Sequence, residues 1–159
     1  MTFRIRAGDL ARDRDAMRRF ILGLQRFEYD IVPNRRLDDQ VAEDHLGQMF
    51  RDPGKAHGIF MVEDEAGAAQ GWAVVIEATD QLYVEESLRR YAYIAELYLE
   101  DGLRGTGAGK ALLAACEDWA RTHGFHTLQI GVLAGNARAR KVYGDAGFAP
   151  YAMELRKRL

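Results

Sequence analysis

The stretch Leu103-Arg104-Gly105-Thr106-Gly107-Ala108-Gly109-Lys110 sets glycines at alternate positions between two cations. Glycine removes side chains from a run of backbone, so successive N–H groups can converge on a concavity that takes an anion. A helix opening behind the run adds about half a positive charge at its N-terminus. Phosphate is an anion that such a place holds well, and Arg104 and Lys110 bring full charges beside it. Two nucleotide motifs are excluded. A P-loop needs glycine five residues before the Gly-Lys pair and Ser or Thr after it, where this chain has Arg104 and Ala111. The dinucleotide fingerprint needs glycine at 110 or 112, and those are Lys110 and Leu112. On these residues alone, a plain glycine-rich link between a strand and a helix stands beside the phosphate reading.

The elements that must position this turn follow from hydrophobic spacing. Phe3 to Ala7 alternates apolar and basic residues, as a short strand does. From Asp13 to Phe27, residues Met17, Phe20, Ile21, Leu24 and Phe27 recur at helical steps. The spacing predicts an irregular segment over 28–35 and a second helix from about Asp38 to Phe50, with Val41, His45, Leu46, Met49 and Phe50 on one side. Strands are expected at 58–63, 71–76 and 91–99, then a helix from about Gly107 to His123. A strand over 127–133, a helix over 136–146 closed by Gly147, and a last strand over 149–155 complete the order. An early antiparallel meander followed by a βαβ unit implies a mixed sheet with helices packed on it.

Composition bounds the function. A chain of 159 residues has room for one domain, spanning 1–159. Its 22 basic and 24 acidic residues give a net charge of −2, so no partnership with nucleic acid through bulk charge is expected. One cysteine, Cys116, excludes an intramolecular disulfide and, with no signal-peptide pattern at the N-terminus, suits the cytoplasm. No apolar run approaches the roughly 18 residues that span a bilayer, so no membrane partner is expected. His123 and His126 straddle Gly124, and no cysteine or carboxylate cluster completes a zinc set, so no metal is expected.

With these motifs in place, the chain resembles the GNAT superfamily of N-acetyltransferases. The family's acyl-CoA motif, Arg or Gln followed by x-x-Gly-x-Gly or Ala, stands as Arg104-Gly105-Thr106-Gly107-Ala108-Gly109. A second signature stands as Asn136, Ala139, Val142, Tyr143, Gly147 and Phe148 at every expected spacing. The resemblance implies an α/β fold of the α+β kind: a mixed, mostly antiparallel sheet of six to seven strands, splayed between its two central strands and flanked by about four helices. It implies acetyl-CoA as cofactor, with pantetheine along the backbone of Leu97, Tyr98 and Leu99. The pyrophosphate would sit on the amides of Arg104, Gly105, Thr106, Gly107, Ala108, Gly109 and Lys110. Asn136 would bond the pantetheine or pyrophosphate arm.

Acetyl transfer to an amine needs a base for an ammonium of pKa about 10, donors for an oxyanion, and an acid for the departing thiolate. Glu96 is the candidate base, acting through a water, with a hydrogen-bonded strand residue as the alternative. Tyr143 is the candidate acid, with aromatic packing as the alternative. A backbone N–H of Leu97 or Tyr98 is the candidate oxyanion donor. Cys116 sits at helical spacing with Leu112, Leu113 and Trp119, a core position, and without a nucleophilic cysteine direct attack in a ternary complex is expected.

The acceptor region expected from the resemblance offers Glu28, Tyr29, Asp30 and Tyr83, which suit a cationic amine. A solvated acidic surface is the plainer reading of any one of them, and Arg35, Arg36, Arg89 and Arg90 would equally suit an anionic acceptor. A polyamine, an amino acid, an antibiotic or a protein amine all fit. A non-catalytic acyl-CoA-sensing module is the competing class of function, and a homodimer is common among such proteins.

Overall fold

A computed structural model of the protein describes residues 2–159. In chain order the main elements are β1 (Arg4–Ala7), α1 (Arg14–Ile31), α2 (Gln40–Met49), β2 (His57–Glu63), β3 (Ala69–Thr79), β4 (Arg90–Leu99), α3 (Ala108–Thr122), β5 (Leu128–Ile130) and α4 (Ala137–Asp145). The strands form one sheet in the order β1-β2-β3-β4-β5. Neighbours are antiparallel except β4 and β5, which run parallel.

The sheet carries a core on each face. Met17, Phe20 and Ile21 of α1 and Ala42 and Leu46 of α2 cover Ile59, Met61, Trp72 and Val74. Leu112, Leu113, Cys116 and Ala120 of α3 cover Val62, Ala73, Val75, Ala92 and Ile94. Phe20 and Trp72 are wholly buried, and each such side chain contributes about 1.5–3 kcal/mol or somewhat more. One ion network ties the first elements together. Asp13, 6% exposed, accepts both ends of the Arg6 guanidinium at 2.7 and 2.8 Å. Arg6 also pairs with Glu63, and Arg4 reaches Glu63 at 2.5 Å. Arg6 holds the Asp13 carboxyl far below the usual carboxylate range.

Three expectations are corrected. Residues 28–31, expected to be irregular, form the last turn of α1. The helix stops at Val32, extended at φ −137° and ψ 103°, because a residue before proline is pushed out of the helical region. The strand expected over 127–133 is only Leu128–Ile130. The last strand expected over 149–155 does not form, and the sheet has five strands rather than six or seven. Tyr151, Met153 and Leu155 alternate as a strand would, yet all are exposed and unpaired. Alternation prepares a strand, but a strand also needs an edge to pair with and a face to cover.

β4 does most to shape the site. Val74 pairs with Glu96 and Val75 with Ile94, so Ala95 is an extra residue on β4, a bulge. Without it, Ile94 and Glu96 would share a face, two residues apart. With it, Ile94 stays with the α3 core, while Glu96 turns to the opposite face and meets α2. β5 pairs β4 only at Ala92, Tyr93 and Ile94. Past Ile94 the two strands part, and the far edge of β4 is open.

Candidate active site

The glycine turn lies between the end of β4 and α3. Gly105 and Gly107 sit at φ +81° and +93°, a region L side chains rarely adopt, and a Cβ at either would meet open space. Gly107 caps α3 without a side chain, and the first helical bond is donated by the Ala111 amide to the Gly107 carbonyl. The amides of Gly105, Gly107, Ala108, Gly109 and Lys110 have no hydrogen-bond partner among the described residues. These orphan donors at a helix start form an anion cradle. Lys110 is exposed beside it and joins no ion pair among the described residues. Arg104 is engaged differently. Its guanidinium pairs with Asp101 at 2.5 Å, donates Nε to the Leu99 carbonyl at 3.1 Å and lies 5.6 Å over Phe27. Arg104 braces the turn, and Thr106 does the same by donating Oγ1 to the Leu103 carbonyl at 2.7 Å.

Backbone alternation decides which β4 amides face the open edge. The Glu100 amide donates to the Gln70 carbonyl on β3, so by period two the Tyr98 amide faces β3 as well. Leu97 and Leu99 therefore turn their amides toward the gap. Of the two candidate oxyanion donors, only Leu97 points there. The Tyr98 ring packs on α1, 5.8 Å from Phe20, in the space that Gly23 leaves free of a side chain.

Around the gap are the groups that can move protons. Glu96 is 4% exposed. Its Oε1 meets His45 Nε2 at 2.5 Å, and its Oε2 is buried with no partner. Burial pushes the Glu96 carboxyl up, partly opposed by the bond to His45 and aided by the charge of Glu28. Tyr143, on α4, is partly buried and meets Phe148 edge-on at 6.1 Å. Burial raises its phenol to about 12, with the charges of Glu28 and Tyr93 adding to the effect. Glu28 thus lies near enough to act on both groups, and Arg35 donates Nε to it at 2.7 Å. The Tyr93 hydroxyl lies against Gly131, where a Cβ would come within 2.9 Å of it.

Asn136 caps α4, its Oδ1 accepting from the Ala139 amide at 3.0 Å, and its Nδ2 has no partner among the described residues. The expected acceptor residues separate. Glu28 faces the gap, whereas Tyr29 and Asp30 turn to solvent. Tyr83, 88% exposed, lies in the loop before β4. Cys116 is wholly buried, its thiol pushed up to about 12 by burial, a core residue with no nucleophilic character. His45 and Tyr93 join the cluster without having been singled out for chemistry, and Arg35, weighed as a cation for an anionic acceptor, joins it by holding Glu28. Only His45 left a signal, as the one titratable residue in the apolar stripe of α2.

The order of these parts, splayed parallel pair, amide cradle and capped last helix, agrees with a family-wide match. The model of the acetyltransferase (GNAT) family matches residues 18–148. The chain belongs to the GNAT family. The match runs from α1 to Phe148 and so takes in the cradle, β4 and α4. An uncharacterized N-acetyltransferase of Bacillus subtilis, YycN, is 35% identical over 74 residues, 46% of this chain and 47% of that protein. A mycothiol acetyltransferase of Beutenbergia cavernae is 31% identical over 108 residues, 67% of this chain and 32% of that protein. The chain thus spans less than half the length of either curated relative. A predicted acetyltransferase of Clostridium acetobutylicum, solved with acetyl-CoA, superposes with a TM-score of 0.75 at 18% identity, covering 99% of this chain and 96% of that one. That likeness is one of fold. Among the described residues, no helix of this GNAT protein is long and apolar enough to cross a membrane.

Proposed function

We propose that the protein moves an acetyl group from acetyl-CoA to a primary amine of a small molecule, by direct attack in a ternary complex. The observation that carries this reading is the pairing of an orphan-amide cradle with a buried carboxylate on the open-edged strand that leads into it. The cradle fits a pyrophosphate, and the free edge of β4 at Leu97 and Leu99 fits the amide groups of a pantetheine arm. Bound acetyl-CoA would supply the activated acetyl group. Gly105, Gly107, Ala108, Gly109 and Lys110 would hold its phosphates, and Asn136 Nδ2 would steady the arm. An acyl-CoA-sensing module would have use for the cradle but none for a buried, half-partnered carboxylate, which is costly to keep.

The residues divide the proton work. Glu96, with its affinity for protons raised by burial, takes one from the acceptor ammonium through a water. The Leu97 amide offers a donor to developing negative charge on the carbonyl oxygen. Tyr143, still protonated at neutral pH, gives its proton to the departing sulfur. Glu28 at the gap favours a cationic acceptor, and Arg35 beside it limits how much free negative charge the site presents.

The test is thiol release from acetyl-CoA across a panel of polyamines, amino acids and aminoglycosides, beside calorimetric titration with acetyl-CoA and with ATP. Binding of acetyl-CoA at micromolar concentration without binding of ATP, together with release driven by one class of amine, is the expected result. Binding without release from any amine would favour the sensing module.

A further inference from the structure

The β4 bulge at Ala95 turns Glu96 toward α2, where one of its oxygens meets a histidine and the other meets nothing. The two oxygens are unequal by construction. Oε1 is held by His45 Nε2 at 2.5 Å, and Oε2 is buried and unpartnered. His45 is the half-open member: its side chain is 36% exposed against 4% for Glu96, and its Nδ1 has no partner among the described residues. The imidazole therefore touches the buried carboxylate with one nitrogen and is open to water on its other side. The remaining charge facing Glu96 is Glu28 on α1, itself held by Arg35.

We propose that Glu96 and His45 form one proton-handling unit, in which Oε2 takes the acceptor's proton and His45 positions Oε1 and passes a proton to solvent. This rests on Glu96 being the base. The balance is simple. An N–H bond of the acceptor breaks and Oε2 gains that proton, while the imidazolium loses one from Nδ1 to water. Before and after this step the pair holds a single proton and no net charge, and the starting state returns when Oε2 gives its proton to water after product leaves and Nδ1 takes one back from solvent. The arrangement answers a problem that burial creates, since a proton gained at Oε2 beside an imidazolium would leave an uncompensated charge out of water unless His45 releases one. His45 is a positioning residue here, because it acts through Glu96. The shifts agree with the geometry: the bond to Glu96 raises the His45 imidazolium, and burial raises Glu96.

The experiment begins with the full chain and no acceptor. The His45 ring is titrated by NMR in the wild type and in Glu96→Gln. The expected result is at least a tenfold weaker hold on the His45 proton in the variant, about one pH unit. Thiol release from acetyl-CoA with propylamine is then followed against pH. His45→Gln, which keeps a donor but no charge, should move the acidic limb of kcat/KM about one unit higher, since the imidazolium charge then no longer opposes burial and Glu28. Added imidazole should restore part of the rate of His45→Ala. Identical His45 titration in the two proteins overturns the proposal, as does an unmoved acidic limb with no imidazole rescue. The base reading fails separately, if Glu96→Gln releases thiol at the wild-type rate. If Glu96→Gln is inactive while His45 titrates alike in both proteins, the base stands and the relay falls.

Discussion

Glu96 and Tyr143 are the residues on which the proposed chemistry turns, and each predicts a distinct kinetic signature. Removing a general base costs about 10²–10⁴ in rate, so Glu96→Gln should lower kcat at least about a hundredfold. Its affinity for acetyl-CoA, read by calorimetry, should stay within about twofold, because the carboxylate faces α2 and is not part of the cradle. Tyr143→Phe removes only a hydroxyl. As the acid it should cost about tenfold or more in kcat with little change in KM for acetyl-CoA, whereas a packing ring would leave kcat near normal. The Tyr143 phenol stays protonated to about 12 in the free protein. Loss of kcat/KM on its account should therefore appear only near that pH, and a pH–rate profile checks this.

Two elements carry predictions of their own. The start of α3 is an anion site because its first amides are unpaired and Gly107 leaves their approach clear. Gly107→Glu sets a carboxylate there, and its positive φ adds strain of about 1–2 kcal/mol. Acetyl-CoA binding should be lost by calorimetry while circular dichroism still reports a folded chain. Retained affinity would remove the phosphates from this turn. The start of α1 is held by the Arg6–Asp13–Glu63 network. Breaking a buried pair from one side leaves an uncompensated charge, so Asp13→Asn should cost about 3 kcal/mol in urea unfolding. The sign with pH follows from a carboxyl held low when folded. The contribution of Asp13 is whole above about pH 4, its unfolded value, and fades as the pH falls toward the folded one. The variant and the wild type should therefore converge in stability as the medium is acidified.

At the scale of the whole molecule, the gap draws on three elements. α1 reaches it through Glu28 and Ile31, the latter against Gly135, β4 through Tyr93 and Glu96, and α4 through Tyr143. A ligand bound across these parts binds the folded chain alone, and at a hundred times its Kd it adds about 2.7 kcal/mol of stability. For a chain of this size, acetyl-CoA at that excess should raise Tm by about 5–10 °C, measured by scanning calorimetry. CoA without its 3′-phosphate should do less, and ATP little. Equal effects from ATP would mean that the cradle reads phosphate without reading the arm.

The amino-acid sequence by itself settled what depends on short-range spacing. Helical steps in 13–27, 38–50 and 107–123 and alternation in 91–99 mark elements that all form, because each buries its own stripe. The glycine turn was legible because positive φ and unpaired amides are local properties; Tyr143 was singled out from the second signature, and Glu96 from its place on the strand before the turn under the family resemblance. What only the tertiary structure decided lies between elements. Alternation in 149–155 makes no strand without an edge to join. The extra residue at Ala95 is invisible until β3 lies beside β4, yet it sends Glu96 to the α2 face. His45 and Glu96, 51 positions apart, meet only because a helix packs over that face, and a bond between distant residues leaves no trace in local spacing.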